Sequence, residues 1–229
     1  MTRLSAVLWD LDGTLLDTGP LWRNAEYAFL GRRGLDWSDA HSERLVGGNL
    51  ERVSDVFAEV TGMRFTIEQL LEELAGEVEA QLRLGIPWMP GARSLIDRFA
   101  AVGVRQGIVT SSHREIVEPV LAAMPALDVR ITVTRDDVRV PKPDPEPYRR
   151  ALELLAGDGV VEGVLAIEDS DSGLRAALGA GLPVLHCAPD APARPAQPTV
   201  VAVASATDLA GPGLRTALTA LGRELPQQI

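Results

Sequence analysis

Four short segments of the sequence combine side chains that could together bind or transfer a charged group. These segments are Asp10-Leu-Asp12-Gly-Thr14, Thr110-Ser-Ser112, Lys142 and Glu168-Asp169-Ser170. Carboxylates brought close together repel each other and cannot all remain ionised without a cation. Because hard oxygen ligands of this kind suit Mg²⁺, the residue types predict a magnesium ion as the cofactor.

Lys142 is the only lysine among the 22 lysine and arginine residues of the chain. It lies between Pro141 and Pro143, whose rings fix φ, so its ammonium is presented from a stiff, extended segment. The formal net charge of −10 at pH 7 opposes a broad surface for nucleic acid or anionic lipid. An anionic substrate would therefore need a local positive charge, and Lys142 is the candidate.

The four segments must be positioned by the elements that carry them. Apolar runs without a helical period predict strands at Leu4–Trp9, Arg105–Thr110, Val129–Val133, Val164–Ile167 and Pro183–His186. Helical spacing predicts helices at Ala92–Val102, Arg114–Met124, Glu146–Leu155 and Ser172–Ala180. This alternation is typical of a doubly wound parallel sheet, which binds ligands at the carboxyl ends of its strands.

Between the first and second predicted strands, residues 19–84 show helical spacing and no convincing strand. Helices are predicted there at Leu21–Arg32, Asp39–Val46, Leu50–Thr61 and Ile67–Leu84. Thr66, followed by acidic and amide residues, is an N-terminal signal for the last of them. We therefore interpret residues 1–16 and 87–229 as one α/β core domain, interrupted by a helical domain at 17–86.

The composition is typical of a globular protein. The chain has 229 residues, of which 46% are hydrophobic and 24% charged. A single cysteine, Cys187, excludes an internal disulfide, and no apolar run approaches the roughly 18 residues of a membrane span. We expect a cytoplasmic protein without nucleic-acid or membrane partners. Prolines recur every third residue in the segment 189–198, which favours a stiff surface loop, with a proline-motif partner as the alternative.

Taken together and in this order, the four segments resemble the motifs of the haloacid dehalogenase superfamily of phosphotransferases. The resemblance rests on Asp10-Leu-Asp12-Gly-Thr14-Leu, Thr110, Lys142 and Glu168-Asp169-Ser170, and it covers essentially the whole chain. Acidic residues that merely cap helices would explain any one segment but not the set. The resemblance implies a Rossmann-like sheet of strand order 5-4-1-2-3, numbered along the chain, with an inserted helical-bundle cap domain.

The resemblance also implies roles for the reacting groups. Asp10 is the expected nucleophile, which forms an aspartyl phosphate that water then hydrolyses. Asp12 would protonate the departing alkoxide and later activate the water. Gly13 would allow a tight turn whose amides approach the phosphoryl group. The hydroxyl of Thr110 and the amide of Ser111 would bind a phosphoryl oxygen.

The remaining motif residues are expected to manage charge. Lys142 would lie between Asp10 and the phosphate and offset their negative charge. Asp169 would hold Mg²⁺ together with one oxygen of Asp10 and the main-chain carbonyl of Asp12. Glu168 is either a further ligand or binds the ion through water.

The position of the helical insertion resembles that of the β-phosphoglucomutase and phosphoglycolate phosphatase group. Trp22, Gly47 and Asn49 of the insertion are the candidates for substrate contact. The mutases of this group carry a histidine early in the first cap helix and an arginine later in the cap, whereas this sequence has Trp22 and Leu50 at those places.

We therefore interpret the chain as a Mg²⁺-dependent phosphatase that acts on a small organic phosphomonoester such as a sugar phosphate. A phosphosugar mutase is the alternative. A catalytically inactive binding module is disfavoured because every expected catalytic residue is present. The sequence leaves the identity of the phosphomonoester and the oligomeric state open.

Overall fold

The computed structural model describes residues 1–45, 50–122, 129–160, 162–187, 199–203, 205–209 and 212–226 of the chain. The chain divides into two compact units, which we call the sheet unit and the helical unit. The sheet unit contains Met1–Leu16, Trp88–Ser111 and Ala126–Ile229, and the helical unit contains Asp17–Pro87 and Ser112–Pro125. Ser112–Pro125 thus groups with the helical unit, whereas the sequence analysis assigns it to the α/β domain.

Six parallel strands form the sheet at the centre of the sheet unit. The described residues form eight strands in all, of which these six are β2 to β7. In chain order the eight are β1 (Thr2–Arg3), β2 (Ala6–Trp9), β3 (Arg105–Val109), β4 (Val129–Val133), β5 (Val164–Glu168), β6 (Val184–Cys187), β7 (Val200–Val203) and β8 (Arg223–Glu224). The sheet has the order β4-β3-β2-β5-β6-β7, and β1 and β8 form a separate parallel pair. The predicted order is confirmed because the five predicted strands are β2 to β6, and β7 extends the sheet beyond β6.

Helices account for most of the remaining described residues. In chain order they are α1 (Gly19–Gly31), α2 (Asp39–Glu43), α3 (Leu50–Thr61), α4 (Ile67–Leu70), α5 (Gly76–Leu82), α6 (Ala92–Ala101), α7 (Arg114–Ala122), α8 (Glu146–Gly157), α9 (Asp171–Gly179) and α10 (Pro212–Ala220). A π-helical segment, Leu71–Ala75, joins α4 to α5. The region predicted as one helix is therefore a continuous helical rod with a widened turn in its middle.

The sheet is covered by helices on both faces, which confirms the doubly wound α/β class. Side chains alternate along a strand, so Leu8 and Trp9 of β2 point to opposite faces. Leu8 belongs to a buried cluster with Tyr148 of α8 and Leu174 of α9. On the other face, the ring of Trp9 packs edge-on against Phe99 of α6 at 6.0 Å between centroids. Full burial of a side chain such as Leu8 or Phe99 stabilises the fold by roughly 1.5–3 kcal/mol relative to leaving it exposed.

The helical unit has an aromatic core of its own. Phe29 of α1 stacks on Phe57 of α3 at 5.7 Å and meets Phe65 edge-on at 4.8 Å between centroids. Trp37 packs edge-on against Phe57 at 4.9 Å. In the same unit α7 packs against α5 and the π-helical segment, which explains why residues 112–125 group here. Among the residues that the structure describes, no helix is long and apolar enough to cross a lipid bilayer.

Candidate active site

The carboxyl ends of three neighbouring strands lie at one level of the sheet. Trp9 of β2 is in register with Ile108 of β3 and with Ile167 of β5. The next residue, Asp10, is still held to β5 because its amide donates a hydrogen bond of 3.0 Å to the carbonyl of Ile167. The first of the four polar segments therefore leaves the sheet beside the segments that follow β3 and β5.

Lys142 connects two of these segments through its ammonium group. Its Nζ donates to Asp10 Oδ1 at 2.7 Å, to Glu168 Oε1 at 2.6 Å and to the carbonyl of Val109 at 2.8 Å. The three donors of the ammonium match these three acceptors in number. Only 3% of the Lys142 side chain is exposed, so a buried cation is compensated by two carboxylates and a strand carbonyl.

A carboxylate outside the four segments shapes the loop that carries Lys142. Glu146, at the start of α8, accepts the amide of Arg139 at 2.9 Å with one oxygen and the amide of Val140 at 3.1 Å with the other. These amides lower the pKa of Glu146 below its ordinary value. The side chain of Asp144 accepts the amide of Glu146 at 2.8 Å. The loop that presents Lys142 is thus hydrogen-bonded to the first turn of α8.

Three carboxylates at the site share this one ammonium. Oxygen atoms of Asp10, Glu168 and Asp169 lie within 4.8 Å of one another. Burial, together with the charges of Glu168 and Asp12, raises the pKa of Asp10 to about 7 although Lys142 opposes the shift. Burial and the charge of Asp10 raise the pKa of Asp169 to about 7 as well. The cluster therefore holds more negative charge than Lys142 neutralises.

This imbalance fits a divalent cation. Burial opposes the charge of Lys142, yet Asp10 and Glu168 keep the pKa of the ammonium above its ordinary value, so Lys142 remains the fixed positive charge. A second positive charge would relieve the repulsion among the carboxylates. The donor set consists of oxygen atoms alone, which suits Mg²⁺. Asp10, Glu168 and Asp169 could hold such an ion.

The turn after Asp10 is tied to the segment that follows β5. Gly13 has a φ of +85°, a left-handed conformation that side chains disfavour, and a Cβ there would overlap Oδ2 of Asp169. Thr14 donates its hydroxyl to Oδ1 of Asp169 at 3.3 Å. The hydroxyl of Thr110 donates to Oδ2 of Asp12, also at 3.3 Å. The structure thus brings Asp12, Gly13, Thr110 and Asp169 together.

Two residues that the sequence analysis did not assign to the site contact Glu168 and Asp169. The hydroxyl of Tyr148 donates to Glu168 Oε1 at 2.6 Å, and the side chain of Tyr148 is fully buried. His186 is in register with Glu168 across β5 and β6, and its Nε2 lies 3.0 Å from the carbonyl of Asp169. A buried tyrosine needs a partner for its hydroxyl. The one sequence signal for Tyr148 was its position in the first turn of the predicted helix that follows Lys142.

The remaining predicted substrate contacts are placed only in part. Ser111 follows Thr110 and is half-buried in the sheet unit. Trp22 lies in α1 of the helical unit, where its amide donates to the carbonyl of Thr18 at 3.0 Å. Gly47, Asn49 and the proline-containing segment 189–198 fall outside the residues that the structure describes. The roles of these residues stay predictions.

The chain is similar to known proteins over most of its length. A family model described as haloacid dehalogenase-like hydrolase matches residues 7–187. The chain is 32% identical over 196 residues to protein CbbY of Rhodobacter capsulatus, with 80% of this chain and 84% of that protein covered. It is 28% identical over 184 residues to a phosphorylated carbohydrates phosphatase of Thermotoga maritima, with 78% and 82% covered.

Among solved structures, the chain is similar to CbbY from Rhodobacter sphaeroides in complex with phosphate. The TM-score is 0.78 at 28% sequence identity, and the match covers 96% of this chain and 100% of that chain. The sequence similarity and the structural similarity therefore extend over both the sheet unit and the helical unit.

Proposed function

Because the chain belongs to the haloacid dehalogenase-like hydrolases, we propose that it is a Mg²⁺-dependent phosphatase that hydrolyses a small phosphorylated carbohydrate through an aspartyl phosphate on Asp10. The observation that carries the proposal is the buried contact of Lys142 with both Asp10 and Glu168. It places a fixed ammonium beside the proposed nucleophile, where an incoming phosphoryl group needs a countercharge.

The first step is an in-line displacement at phosphorus. A carboxylate oxygen of Asp10 forms a bond to phosphorus while the bond to the sugar oxygen breaks. The departing alkoxide takes a proton from the carboxyl group of Asp12. The hydroxyl of Thr110, which donates to Asp12 in the structure, helps to orient this acid. Asp10 then carries the phosphoryl group and Asp12 is ionised.

The second step regenerates the enzyme. Water attacks the phosphorus of the aspartyl phosphate and gives a proton to Asp12, and the bond between phosphorus and the Asp10 oxygen breaks. Inorganic phosphate leaves, and both aspartates return to their starting states. Splitting the hydrolysis in this way replaces one difficult displacement by two steps that use the same acid and base.

Lys142 and a bound Mg²⁺ ion would together offset the negative charge at the site. We propose that Asp10, Asp169 and the main-chain carbonyl of Asp12 hold Mg²⁺, with Glu168 as a ligand or bound through water. When bound, the ion neutralises charge on the phosphoryl oxygens. Lys142, in the loop between β4 and α8, orients the Asp10 carboxylate through its hydrogen bond. The amide of Ser111 binds a phosphoryl oxygen.

The proposed substrate class rests on the relatives and on the charge of the chain. One relative is named a phosphorylated carbohydrates phosphatase. The net charge of −10 disfavours polyanionic macromolecules as substrates, so we propose a small phosphomonoester. We also propose a cytoplasmic site of action, because a single cysteine suits a reducing compartment. Selection among such substrates is assigned to Trp22, Gly47 and Asn49 of the insertion, as the family resemblance implies.

A metabolite panel tests the proposal. Purified protein is incubated with phosphorylated sugars and sugar alcohols, with Mg²⁺ or with EDTA, and released inorganic phosphate is measured. We expect turnover with Mg²⁺ that EDTA abolishes and that is absent in Asp10→Asn. Conversion of a hexose 1-phosphate into an isomeric hexose phosphate without phosphate release would contradict the proposal and indicate a mutase.

A further inference from the structure

Tyr148 makes a buried contact with the acidic cluster that the proposed mechanism does not use. Its hydroxyl donates to Glu168 Oε1 at 2.6 Å, and the same oxygen accepts Lys142 Nζ at 2.6 Å. The other oxygen, Oε2, accepts only a long hydrogen bond of 3.4 Å from the hydroxyl of Ser170 among the contacts described. The two oxygens of Glu168 are therefore in different environments.

The hydroxyl is not explained by packing. The ring of Tyr148 fills a place in the apolar cluster between the sheet and helices α8 and α9, and a phenylalanine ring would fill the same place. Burying a phenol hydroxyl without a partner costs free energy, so its presence points to the bond that it makes. The ring centroid also lies 5.3 Å from Lys142 Nζ, so Tyr148 touches both members of the Lys142–Glu168 pair.

The first turn of α9 limits the position of Glu168 from another side. A Cβ at Gly173 would overlap the Glu168 carboxylate, so the carboxylate lies directly against the backbone of this turn. Ser170 caps the helix by accepting the amide of Gly173 at 3.0 Å. With Lys142, Tyr148 and α9 around it, the carboxylate has one orientation fixed by three separate elements.

We propose that Tyr148 is a positioning residue that, with Lys142, holds Oε1 of Glu168 and thereby leaves Oε2 to the Mg²⁺ ion or to a water molecule bound to it. The inference rests on the proposed Mg²⁺-dependent function. Groups that orient a metal-binding side chain typically contribute about 10–100-fold to metal affinity or activity. Removal of the Tyr148 hydroxyl should weaken Mg²⁺ binding by about tenfold without loss of the fold.

The two tyrosines of the chain provide a matched pair of variants. Tyr148→Phe removes the hydroxyl at Glu168 and keeps the ring. Tyr27→Phe is the control, because the hydroxyl of Tyr27 donates to Asp39 at 3.1 Å on the exposed surface of the helical unit. Mg²⁺ binding to the metal-free proteins is measured by calorimetry, and thermal melting of each protein reports its folding.

We expect the dissociation constant for Mg²⁺ to rise about tenfold in Tyr148→Phe and to stay unchanged in Tyr27→Phe. In turnover assays, the Mg²⁺ concentration for half-maximal activity should rise by the same factor, while KM for the phosphomonoester at saturating Mg²⁺ stays the same. A purely structural role would lower the melting temperature without this selective effect on the metal. Equal Mg²⁺ affinity of wild type and Tyr148→Phe would overturn the inference.

A double-mutant cycle with Glu168 tests whether Tyr148 acts through this carboxylate. In a Glu168→Gln background, Tyr148→Phe should cause no further loss of Mg²⁺ affinity, since the oriented carboxylate is already absent. A full tenfold loss in that background would overturn the inference even if the single variant behaves as expected. If the wild-type protein itself does not bind Mg²⁺, the proposed function is contradicted. If the wild type binds Mg²⁺ and Tyr148→Phe binds it equally well, only the inference about Tyr148 is contradicted.

Discussion

Lys142 illustrates how closely the site constrains a single side chain. Its ammonium lies within 2.8 Å of three acceptors in a buried space, and each acceptor belongs to a different chain segment. An arginine side chain is longer and planar, so its guanidinium cannot occupy the place of a compact ammonium. We expect Lys142→Arg to lose about 100-fold or more in kcat, nearly as much as Lys142→Ala.

The measurement for this prediction is steady-state turnover with Mg²⁺, with thermal melting as the check on folding. Arg150→Lys is a suitable control for the exchange of the two cations, since Arg150 forms an exposed ion pair with Glu153 on α8. Wild-type activity of Lys142→Arg would show that the site needs only a positive charge and not the geometry of an ammonium.

Glu26 is a buried acid of the helical unit, and its environment predicts a pH dependence of stability. Burial raises its pKa although Ser42, Trp37 and Arg23 oppose the shift. The folded state therefore binds the proton more tightly than the unfolded state, and stability falls as pH rises from the ordinary value of 4.5 through the raised one. Glutamine at this position does not titrate, so the melting temperature of wild type minus that of Glu26→Gln should decrease by several degrees over this range.

A melting-temperature difference that is constant with pH, or that increases, would contradict a raised pKa at Glu26. Glu77→Gln serves as the control, because Glu77 is a partly exposed acid of the same unit that pairs with Arg32.

At the scale of residues, the sequence predicts those site residues that have a reactive or charged side chain and also directly follow a predicted strand. Asp10, Asp12 and Asp169 follow strands whose apolar runs are visible, so the sheet edge brings them together. Tyr148 and His186 could not be assigned in this way, because their contacts depend on the tertiary fold. Tyr148 reaches the Glu168 carboxylate from α8, and His186 reaches the main-chain carbonyl of Asp169 from β6, which pairs with β5. Their side-chain types alone fit an ordinary buried position equally well.

At the scale of elements, the spacing of apolar residues predicts the central helices and strands. Each of these elements buries one face or both, so its apolar residues follow its own period. The predicted run Val129–Val133 is identical to the observed β4, and the predicted end of the helix after Glu146 differs by two residues. The edge strand β7 was not predicted as a strand. Three of its four residues are partly buried and Ala202 is exposed. What makes them a strand is pairing with β6, which the local pattern does not encode.

The loop between β4 and α8 offers a prediction at the same scale. Glu146→Ala removes the acceptor for the amides of Arg139 and Val140 and should loosen the segment that presents Lys142. Because Lys142 is the only lysine, its reaction with an amine-specific reagent, followed by peptide mass spectrometry, reports this loosening directly. We expect slow labelling in wild type and labelling about tenfold faster in Glu146→Ala, together with a lower kcat.

Glu153→Ala is the matched control, because Glu153 lies on the same helix and its only described ion pair is with the exposed Arg150. Equal labelling rates in wild type, Glu146→Ala and Glu153→Ala would show that the loop does not depend on the Glu146 contacts.

At the scale of the whole molecule, we propose a division of work between the sheet unit, which carries the reacting groups, and the helical unit, which selects the substrate. Trp22→Ala should then change kcat/KM by different factors for different phosphorylated carbohydrates. Hydrolysis of acetyl phosphate should scarcely change, because this substrate has no sugar to contact. A uniform loss across all substrates, acetyl phosphate included, would show that Trp22 supports the fold and does not select the substrate.

In the proposed mechanism the phosphoryl group is transferred to Asp10 and then to water, with Asp12 as the acid and base. The most direct measurement is the pre-steady-state reaction of Asp12→Asn with 4-nitrophenyl phosphate, whose leaving group needs no proton. We predict a burst of about one equivalent of nitrophenolate, then slow turnover, because the amide of this variant cannot activate the water that hydrolyses the intermediate. Mass spectrometry of the quenched protein should place the phosphoryl group on Asp10. A linear time course without phosphorylated Asp10, while the wild-type enzyme turns over, would contradict an aspartyl phosphate intermediate.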